Sequence, residues 1–172
     1  MNKAMVAGLG AVLVLVAGCG GGGSEQAPAP TEAAAATVHR IGEDVEGGGV
    51  VVNVTSVRTD TTVGDRSAPA GQKYVVLDAR VTNNTDAGLD LSCGTAIGHR
   101  LVDDQRRRFD VIPGLASVPG NPPCAELVAV GATGQVGWVF EVPADSTPVA
   151  FGFYDTASQQ PTEPQVIDLT AS

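Results

Sequence analysis

The stretch Gln72–Asn83, with the sequence QKYVVLDARVTN, decides the fold class because its apolar residues recur at every second position. Successive side chains of a β-strand point to opposite sides of the sheet, so alternate residues share a face. The face expected to point into a core carries Val75, Leu77, Ala79 and Val81. This alternation predicts a strand with one buried face.

Similar alternation recurs on both sides of this stretch. Residues 50–57 carry Val50, Val52 and Val54 on one side, while Val51 and Val57 break the pattern and indicate a β-bulge or burial on both faces. Further strands are predicted near residues 40–45, 97–102, 107–112, 136–142, 149–153 and 166–170. The short connection 144–148 predicts that the strands on either side of it form a hairpin.

The composition favours the same fold class. The chain has 22 glycines and 11 prolines, is rich in Val and Thr, and contains no convincing amphipathic helix. Residues 38–172 are enough chain for one domain with one core. We therefore predict an all-β domain over 38–172, an antiparallel β-sandwich of seven to eight strands.

Residues 1–18 have the features of an export signal. Lys3 precedes the apolar run Val6–Ala17, which ends in small residues. Twelve helical residues would extend about 18 Å, less than the ~30 Å hydrocarbon core of a bilayer. The run therefore predicts a cleaved signal peptide and not a retained transmembrane helix.

Residues Leu15–Cys19 resemble the lipobox of bacterial lipoproteins, in which small residues precede a lipidated cysteine. The resemblance implies that Cys19 receives a diacylglyceryl group and that acyl chains anchor the protein in the membrane, facing the extracytoplasmic side. The alternative is an ordinary secretory signal in which Cys19 is incidental. Residues 19–37 then form the lipidated cysteine and a flexible Gly/Ala/Pro tether, because they contain no large aliphatic residue before Val38.

A second resemblance covers nearly all of the chain after the signal. Several segments, in their order, resemble the telokin-like, immunoglobulin-like domain of unknown function found on many Gram-positive lipoproteins: Val50–Val54, Gly71–Leu77, Val81–Asp86, Val130–Gly131 and Gly137–Pro143. The resemblance implies an immunoglobulin-like, extracytoplasmic β-sandwich with no assigned catalytic residues. The chain departs from the family pattern by two additional cysteines.

Those cysteines are Cys93 and Cys124, and outside the cytoplasm an even pair most simply forms a disulfide. We expect it to clip the loop 112–125, whose prolines exclude it from a central strand. The alternative is a redox couple, although the two cysteines lack Cys-x-x-Cys spacing.

The net charge of −9, which becomes −10 when Lys3 leaves with the signal, argues against a nucleic-acid partner. Four basic residues are candidates for binding an anion such as a lipid headgroup or a wall polymer: Arg100, Arg106, Arg107 and Arg108. The alternative is that these arginines lie on a solvent-exposed strand that follows a turn at 103–105. Their positive charges would then be offset by Asp103, Asp104 and Asp110.

No cofactor and no metal site are expected, because the only histidines are His39 and His99 and both methionines lie in the signal. His99 would be the general base of an envelope hydrolase only with a serine such as Ser92 or Ser117, and no catalytic motif accompanies it. The chain also contains aromatic residues at strand spacing, and we expect them to pack in the core rather than to line a ligand groove: Tyr74, Trp138, Phe140, Phe151 and Phe153.

These observations predict a lipid-anchored, non-enzymatic binding or interaction module at the cell envelope, with the membrane and an envelope protein or wall component as partners. The alternative is a protein that captures or senses a small molecule or an anionic envelope component. An envelope hydrolase is a third, weaker hypothesis.

Overall fold

Thirteen β-strands and one short 3-10 helix form the regular structure of the described residues, which are 38–94, 96–156 and 163–170 of this computed structural model. In chain order the strands are β1 (His39–Arg40), β2 (Val45–Gly47), β3 (Val50–Asp60), β4 (Thr62–Val63), β5 (Arg66–Ser67), β6 (Gln72–Asn83), β7 (Leu89–Asp90), β8 (Ile97–Asp103), β9 (Arg108–Phe109), β10 (Leu127–Val128), β11 (Thr133–Pro143), β12 (Pro148–Asp155) and β13 (Gln165–Asp168). The 3-10 helix is Leu115–Ser117. The predictions for residues 1–37, including Cys19, lie outside the described residues.

Two main sheets contain most of the strands. One has the order β11-β6-β3-β2 and is antiparallel throughout, and the other has the order β1-β13-β12-β8-β9. Two small ribbons, β4-β5 and β7-β10, lie outside these sheets. The predicted all-β sandwich is therefore confirmed, and within the described part of the chain no helix is long and apolar enough to cross a bilayer.

Strand β6 is central to the first sheet and has the buried face that its alternation predicts. Its residues Val75, Leu77, Ala79 and Val81 are at most 3% exposed. Tyr74 and Val76 on the opposite face are also buried, and the Tyr74 hydroxyl donates to the Ser67 carbonyl of the β4-β5 ribbon at 3.4 Å. The first half of β6 is therefore covered on both faces, as a central strand often is.

Strand β3 contains the irregularity that its sequence indicates. Its pairing with β6 shifts by one residue between Val54 and Ser56, which is a β-bulge. The residues before the bulge on the core face, Val50, Val52 and Val54, are at most 1% exposed. The bulge therefore changes which residues face the core in the second half of the strand.

The predicted hairpin across residues 144–148 is wrong. Strand β11 pairs with β6 in the first sheet, whereas β12 pairs with β8 and β13 in the second. The connection thus crosses from one sheet to the other. Alternation shows that each strand has one buried face but does not specify its neighbour, and these two strands face the same core from opposite sides.

Three smaller expectations also need correction. The strand count exceeds seven to eight because several strands contain only two or three residues. Of the predicted strand 107–112, only Arg108–Phe109 pairs with β8, and Val111 instead forms a bridge to Phe140 of the other sheet. The pairing of β1 with β13 is parallel, an exception to the antiparallel arrangement.

The core between the sheets is aromatic at its centre. Trp138 and Phe140 of β11 meet Phe151 of β12, with ring centroids 5.1 and 6.2 Å apart, and Phe151 stacks on Phe153 at 6.1 Å. All four rings are fully buried. Gly47 of β2 permits close packing here, because a Cβ atom would lie 2.6 Å from the Phe153 ring.

Candidate binding cleft beside the disulfide

A disulfide joins Cys93 to Cys124, with their Cα atoms 5.3 Å apart. Cys93 follows β7, and Cys124 lies near the end of the proline-rich loop 112–125. The bond therefore ties this loop to the segment between β7 and β8. Both cysteines are exposed to solvent.

Asp90 links the same two segments through hydrogen bonds. Its Oδ1 accepts from the backbone N–H groups of Ser92 and Cys93 at 3.0 and 2.8 Å, and its Oδ2 accepts from that of Ala125 at 3.0 Å. Desolvation raises the pKa of Asp90, but the hydrogen bonds from Ala125, Cys93 and Ser92 together lower it below 3.8. The ionised carboxylate thus holds the two cysteine segments together alongside the covalent bond.

The start of the loop is also fixed. Arg66 of β5 donates to the Pro113 carbonyl at 2.7 Å and to the Ser117 hydroxyl at 3.0 Å. Gly114 has φ 75°, a left-handed conformation that glycine adopts readily. The loop therefore turns at Gly114 and presents the 3-10 helix to the core, where Leu115 is 4% exposed.

A cleft of about 400 Å³ lies between these segments. Its lining comes from the segment after β7, from β8 and from the start of the loop: Leu91, Ser92, Cys93, Gly94, His99, Val111, Ile112, Pro113, Gly114 and Leu115. None of these residues is Asp, Glu, Lys or Arg. The cleft is therefore an open concavity with both apolar and polar groups in its walls and no charged side chain among its lining residues.

His99 is the titratable residue of the cleft lining. Its ring lies 4.8 Å from that of the buried Trp138, with an interplanar angle of 52°. Burial lowers the pKa of His99 from 6.5 to about 4, because the charged imidazolium would lose its hydration. At neutral pH the imidazole is therefore uncharged and offers one donor and one acceptor nitrogen.

Two buried donors near His99 have no hydrogen-bond partner among the described residues. Ser92 is 7% exposed and its Oγ is unpartnered, and Trp138 is fully buried with an unpartnered Nε1. Buried polar groups are nearly always hydrogen-bonded, so unpartnered ones are notable. Both lie at or directly behind the cleft lining.

The four predicted anion-binding arginines do not form one cluster of available charges. Arg107 donates from Nε to Asp103 Oδ2 at 2.7 Å and from its terminal nitrogen to Ser146 Oγ at 2.7 Å, and it also pairs with Asp145. Arg100 forms an ion pair with Asp110. Arg106 and Arg108 are exposed, and neither makes an ion pair with any residue that the structure describes.

The two candidate serines differ in position. Ser92 lies in the same cleft as His99 without a hydrogen bond between the two side chains, whereas Ser117 does not line the cleft and donates to the Gly114 carbonyl at 2.8 Å. Sequence reasoning considered His99 with Ser92 or Ser117 as a base and a nucleophile, but it named Trp138 separately and predicted no cleft that these residues share. The apolar lining residues Leu91, Ile112 and Leu115 have no local sequence signal that marks a site.

Comparison with solved structures identifies chains with similar folds. An uncharacterized β-sandwich protein from Clostridium difficile 630 aligns with 78% of this chain and 94% of its own length, at a TM-score of 0.54 and 11% identity. A conserved hypothetical protein from Bacillus anthracis aligns with 72% and 94%, at a TM-score of 0.52 and 15% identity. The chain shares their β-sandwich fold.

A candidate lipoprotein of Bacillus subtilis, ycdA, aligns with 75% of this chain and 39% of its own length, at a TM-score of 0.51 and 12% identity. These identities show similarity of fold alone. No protein-family model matches the sequence, and no curated protein matches it either.

Proposed function

We propose that this protein is a lipid-anchored, extracytoplasmic binding module of the cell envelope without enzymatic activity. The observation that supports this proposal most is the disulfide between Cys93 and Cys124. Disulfides of this kind persist in oxidising compartments and are rare in the cytosol. The lipobox resemblance at Leu15–Cys19 adds the anchor, and the lipoprotein neighbour of similar fold is consistent with it.

The non-enzymatic part of the proposal rests on the geometry around His99. A histidine whose pKa is lowered to about 4 is a weak base at neutral pH. Ser92 lines the same cleft, but its hydroxyl oxygen is buried and is not hydrogen-bonded to His99. A serine nucleophile needs such a base within hydrogen-bond reach, so the cleft is better suited to binding than to acyl transfer.

A second candidate function is capture of an anionic envelope component. The observation that favours it is the exposure of Arg106 and Arg108, which lie at and after a tight turn. The engagement of Arg107 and Arg100 with carboxylates argues against a four-arginine site. Binding to vesicles with anionic lipids that is lost in an Arg106→Ala/Arg108→Ala variant would support this candidate over the first.

Membrane fractionation of cells that express the full chain tests the anchor. We expect the protein in the membrane fraction and the Cys19→Ala variant outside it, since the acyl chains attach to that thiol. Ser24→Ala, a substitution in the same tether, is the matched control and should fractionate like the parent chain. Membrane association of the Cys19→Ala variant would refute the anchor. Crosslinking in the envelope of cells that express the parent chain tests separately whether the protein contacts a partner there.

A further inference from the structure

Strand β11 lies at the edge of its sheet, and only part of that edge is covered. The strand pairs with β6 on one side, so alternate residues direct their backbone N–H and C=O groups to the other side. The loop 112–125 occupies two of these outward positions. Ile112 donates to the Val139 carbonyl at 2.8 Å, and the Asn121 side chain bonds both backbone groups of Gly137.

Thr133 and Gln135 are the outward positions that precede Gly137, because they have the same parity along the strand. Both residues are exposed, and within the described part of the chain no residue bonds to their outward N–H and C=O groups. The two positions repeat at about 7 Å, twice the rise per residue of a strand. An extended peptide backbone presents matching donors and acceptors at the same spacing.

A groove of about 580 Å³ runs along this uncovered part of the edge. Its walls come from residues 120–123, 126–129 and 132–135. Gly134 is among them and has no side chain, so the groove reaches the backbone of β11. The groove shares no lining residue with the cleft beside the disulfide.

We propose that this groove binds an extended, basic segment of a partner protein, which adds a short strand to the free edge of β11. The backbone of the segment bonds to the outward groups of Thr133 and Gln135 and continues the line of contacts that Asn121 and Ile112 begin. This inference rests on the proposed binding function and deepens it by naming the class of partner.

Charge favours a basic segment. Glu126 is exposed and is the charged residue among those that line the groove. Arg80 belongs to β6 and lies opposite Gln135, so β11 separates the strand of Arg80 from the groove. The net charge of −9 also attracts a positively charged partner at longer range.

Leu127 favours a segment that also contains apolar residues. Its side chain lines the groove together with Pro122 and Pro123, and Leu127 is 56% exposed. Contact with an apolar side chain of the added strand removes this surface from water. Because successive residues of a strand point to opposite sides, a segment that alternates apolar with polar or basic residues fits best.

NMR titration of the ¹⁵N-labelled full chain, lipid-anchored in nanodiscs, tests the proposal. The probe is the acetylated pentapeptide amide Thr-Val-Lys-Val-Thr. We expect saturable shifts of the Thr133 and Gln135 amide signals and slower hydrogen exchange at both. The Gly137 amide, which already donates to Asn121, should change little.

Two further peptides test how the segment is recognised. The fully N-methylated analogue has the same side chains but no backbone donor, and it should bind at least about tenfold more weakly. The analogue with Glu in place of Lys should bind at least about threefold more weakly at low ionic strength, because it reverses the favourable charge.

The Gln135→Pro variant tests the edge itself. Proline removes the N–H group that faces the groove, and it leaves the ladder to β6 intact because that group points away from β6. We expect the parent peptide to bind at least about fivefold more weakly to Gln135→Pro than to Gln135→Ala, which retains the N–H group. The Thr133 amide signal reports binding in both variants, and Trp138 fluorescence verifies that both are folded.

Absence of saturable shifts up to about 10 mM peptide would overturn the proposal. Equal binding of the N-methylated peptide or of the Glu analogue, or equal affinity of the two Gln135 variants, would overturn it as well. Cys19-dependent fractionation does not involve the groove, so a negative titration with a positive fractionation refutes the class of partner alone.

Discussion

Asp103 illustrates how one buried carboxylate shapes the turn between β8 and β9. It is 1% exposed and accepts hydrogen bonds from the backbone N–H groups of Gln105 and Arg107, at 3.0 and 2.8 Å. It also accepts from the Arg107 guanidinium and from the Ser146 hydroxyl, at 2.7 and 2.9 Å. The arginine run that sequence analysis considered for anion binding therefore contributes its middle residue to the interior of this turn.

Asp103 gives the first testable prediction. Desolvation raises its pKa, but the hydrogen bonds from Arg107 and Ser146 outweigh that effect and lower it below 3.8. A lowered pKa stabilises the fold above pH 3.8, and this contribution is lost as the pH falls further. We expect Asp103→Asn to lower the urea midpoint at neutral pH. Below pH 3.8 the free energy of unfolding of this variant should decrease less with falling pH than that of the parent chain. Asp104→Asn, at the exposed neighbour, is the control, and an equal effect there would contradict the prediction.

His99 gives the second prediction, in a different pH range. Its pKa is about 4 in the folded state against 6.5 for an exposed histidine, so the unfolded chain binds a proton first as the pH falls. Stability is therefore full above pH 6.5 and declines between 6.5 and about 4, by about 3 kcal/mol at most. His99→Phe should remove this decline in urea unfolding, whereas His39→Gln should retain it. A decline that persists in His99→Phe would show that another group causes it.

At the scale of elements, the loop 112–125 protects the exposed edge of strand β11. Ile112 donates its backbone N–H to the Val139 carbonyl at 2.8 Å. Further along the strand, the Asn121 side chain donates to the Gly137 carbonyl at 2.9 Å and accepts from the Gly137 N–H at 2.5 Å. The amide of Asn121 thus takes the place of a neighbouring strand, which leaves fewer unpaired backbone groups for edge-to-edge association.

The third prediction concerns Asn121→Ala. The substitution removes the two bonds to Gly137 and a third to the Leu115 carbonyl, so we expect a loss of about 1–3 kcal/mol in stability. Hydrogen exchange of the Gly137 amide should accelerate most. The matched control is Asn84→Ala, at an exposed asparagine outside the loop. Unchanged exchange at Gly137 would contradict the proposed edge protection.

The fourth prediction concerns the disulfide. It closes a loop over a sequence separation of 31 residues, for which the chain-entropy model gives about 3.7 kcal/mol. We expect the Cys93→Ala/Cys124→Ala variant to lose up to that amount in urea unfolding. Thiol titration of the denatured, unreduced parent chain should detect neither of these cysteines, and reactive thiols at both would refute the bridge.

At the scale of the described domain, both sheets depend on one core. Phe151 of β12 contacts Trp138 and Phe140 of β11, so its ring joins the second sheet to the first. Neither sheet buries its inner face without the other. We therefore expect the fluorescence of Trp138 and the far-UV circular dichroism to change together in a single unfolding transition.

The fifth prediction is that Phe151→Ala lowers the stability by about 3–5 kcal/mol, because it leaves a cavity between the sheets. Val166→Ala, at a residue that is 45% exposed, is the control and should change stability little. Separate fluorescence and dichroism transitions in the parent chain, or a small effect of Phe151→Ala, would contradict a shared core.

The sequence by itself determined the fold class and the buried face of β6, and it indicated an irregularity in β3 without deciding between a bulge and burial on both faces, because alternation and its interruptions are local properties of the chain. The proline-rich composition of 112–125 likewise excluded a central strand there. Only the tertiary structure decided that β11 and β12 belong to different sheets and that Ser92, His99 and Ile112 line one cleft. Strand pairing and cleft formation depend on contacts between residues far apart in the chain, and local periodicity contains no information about such contacts.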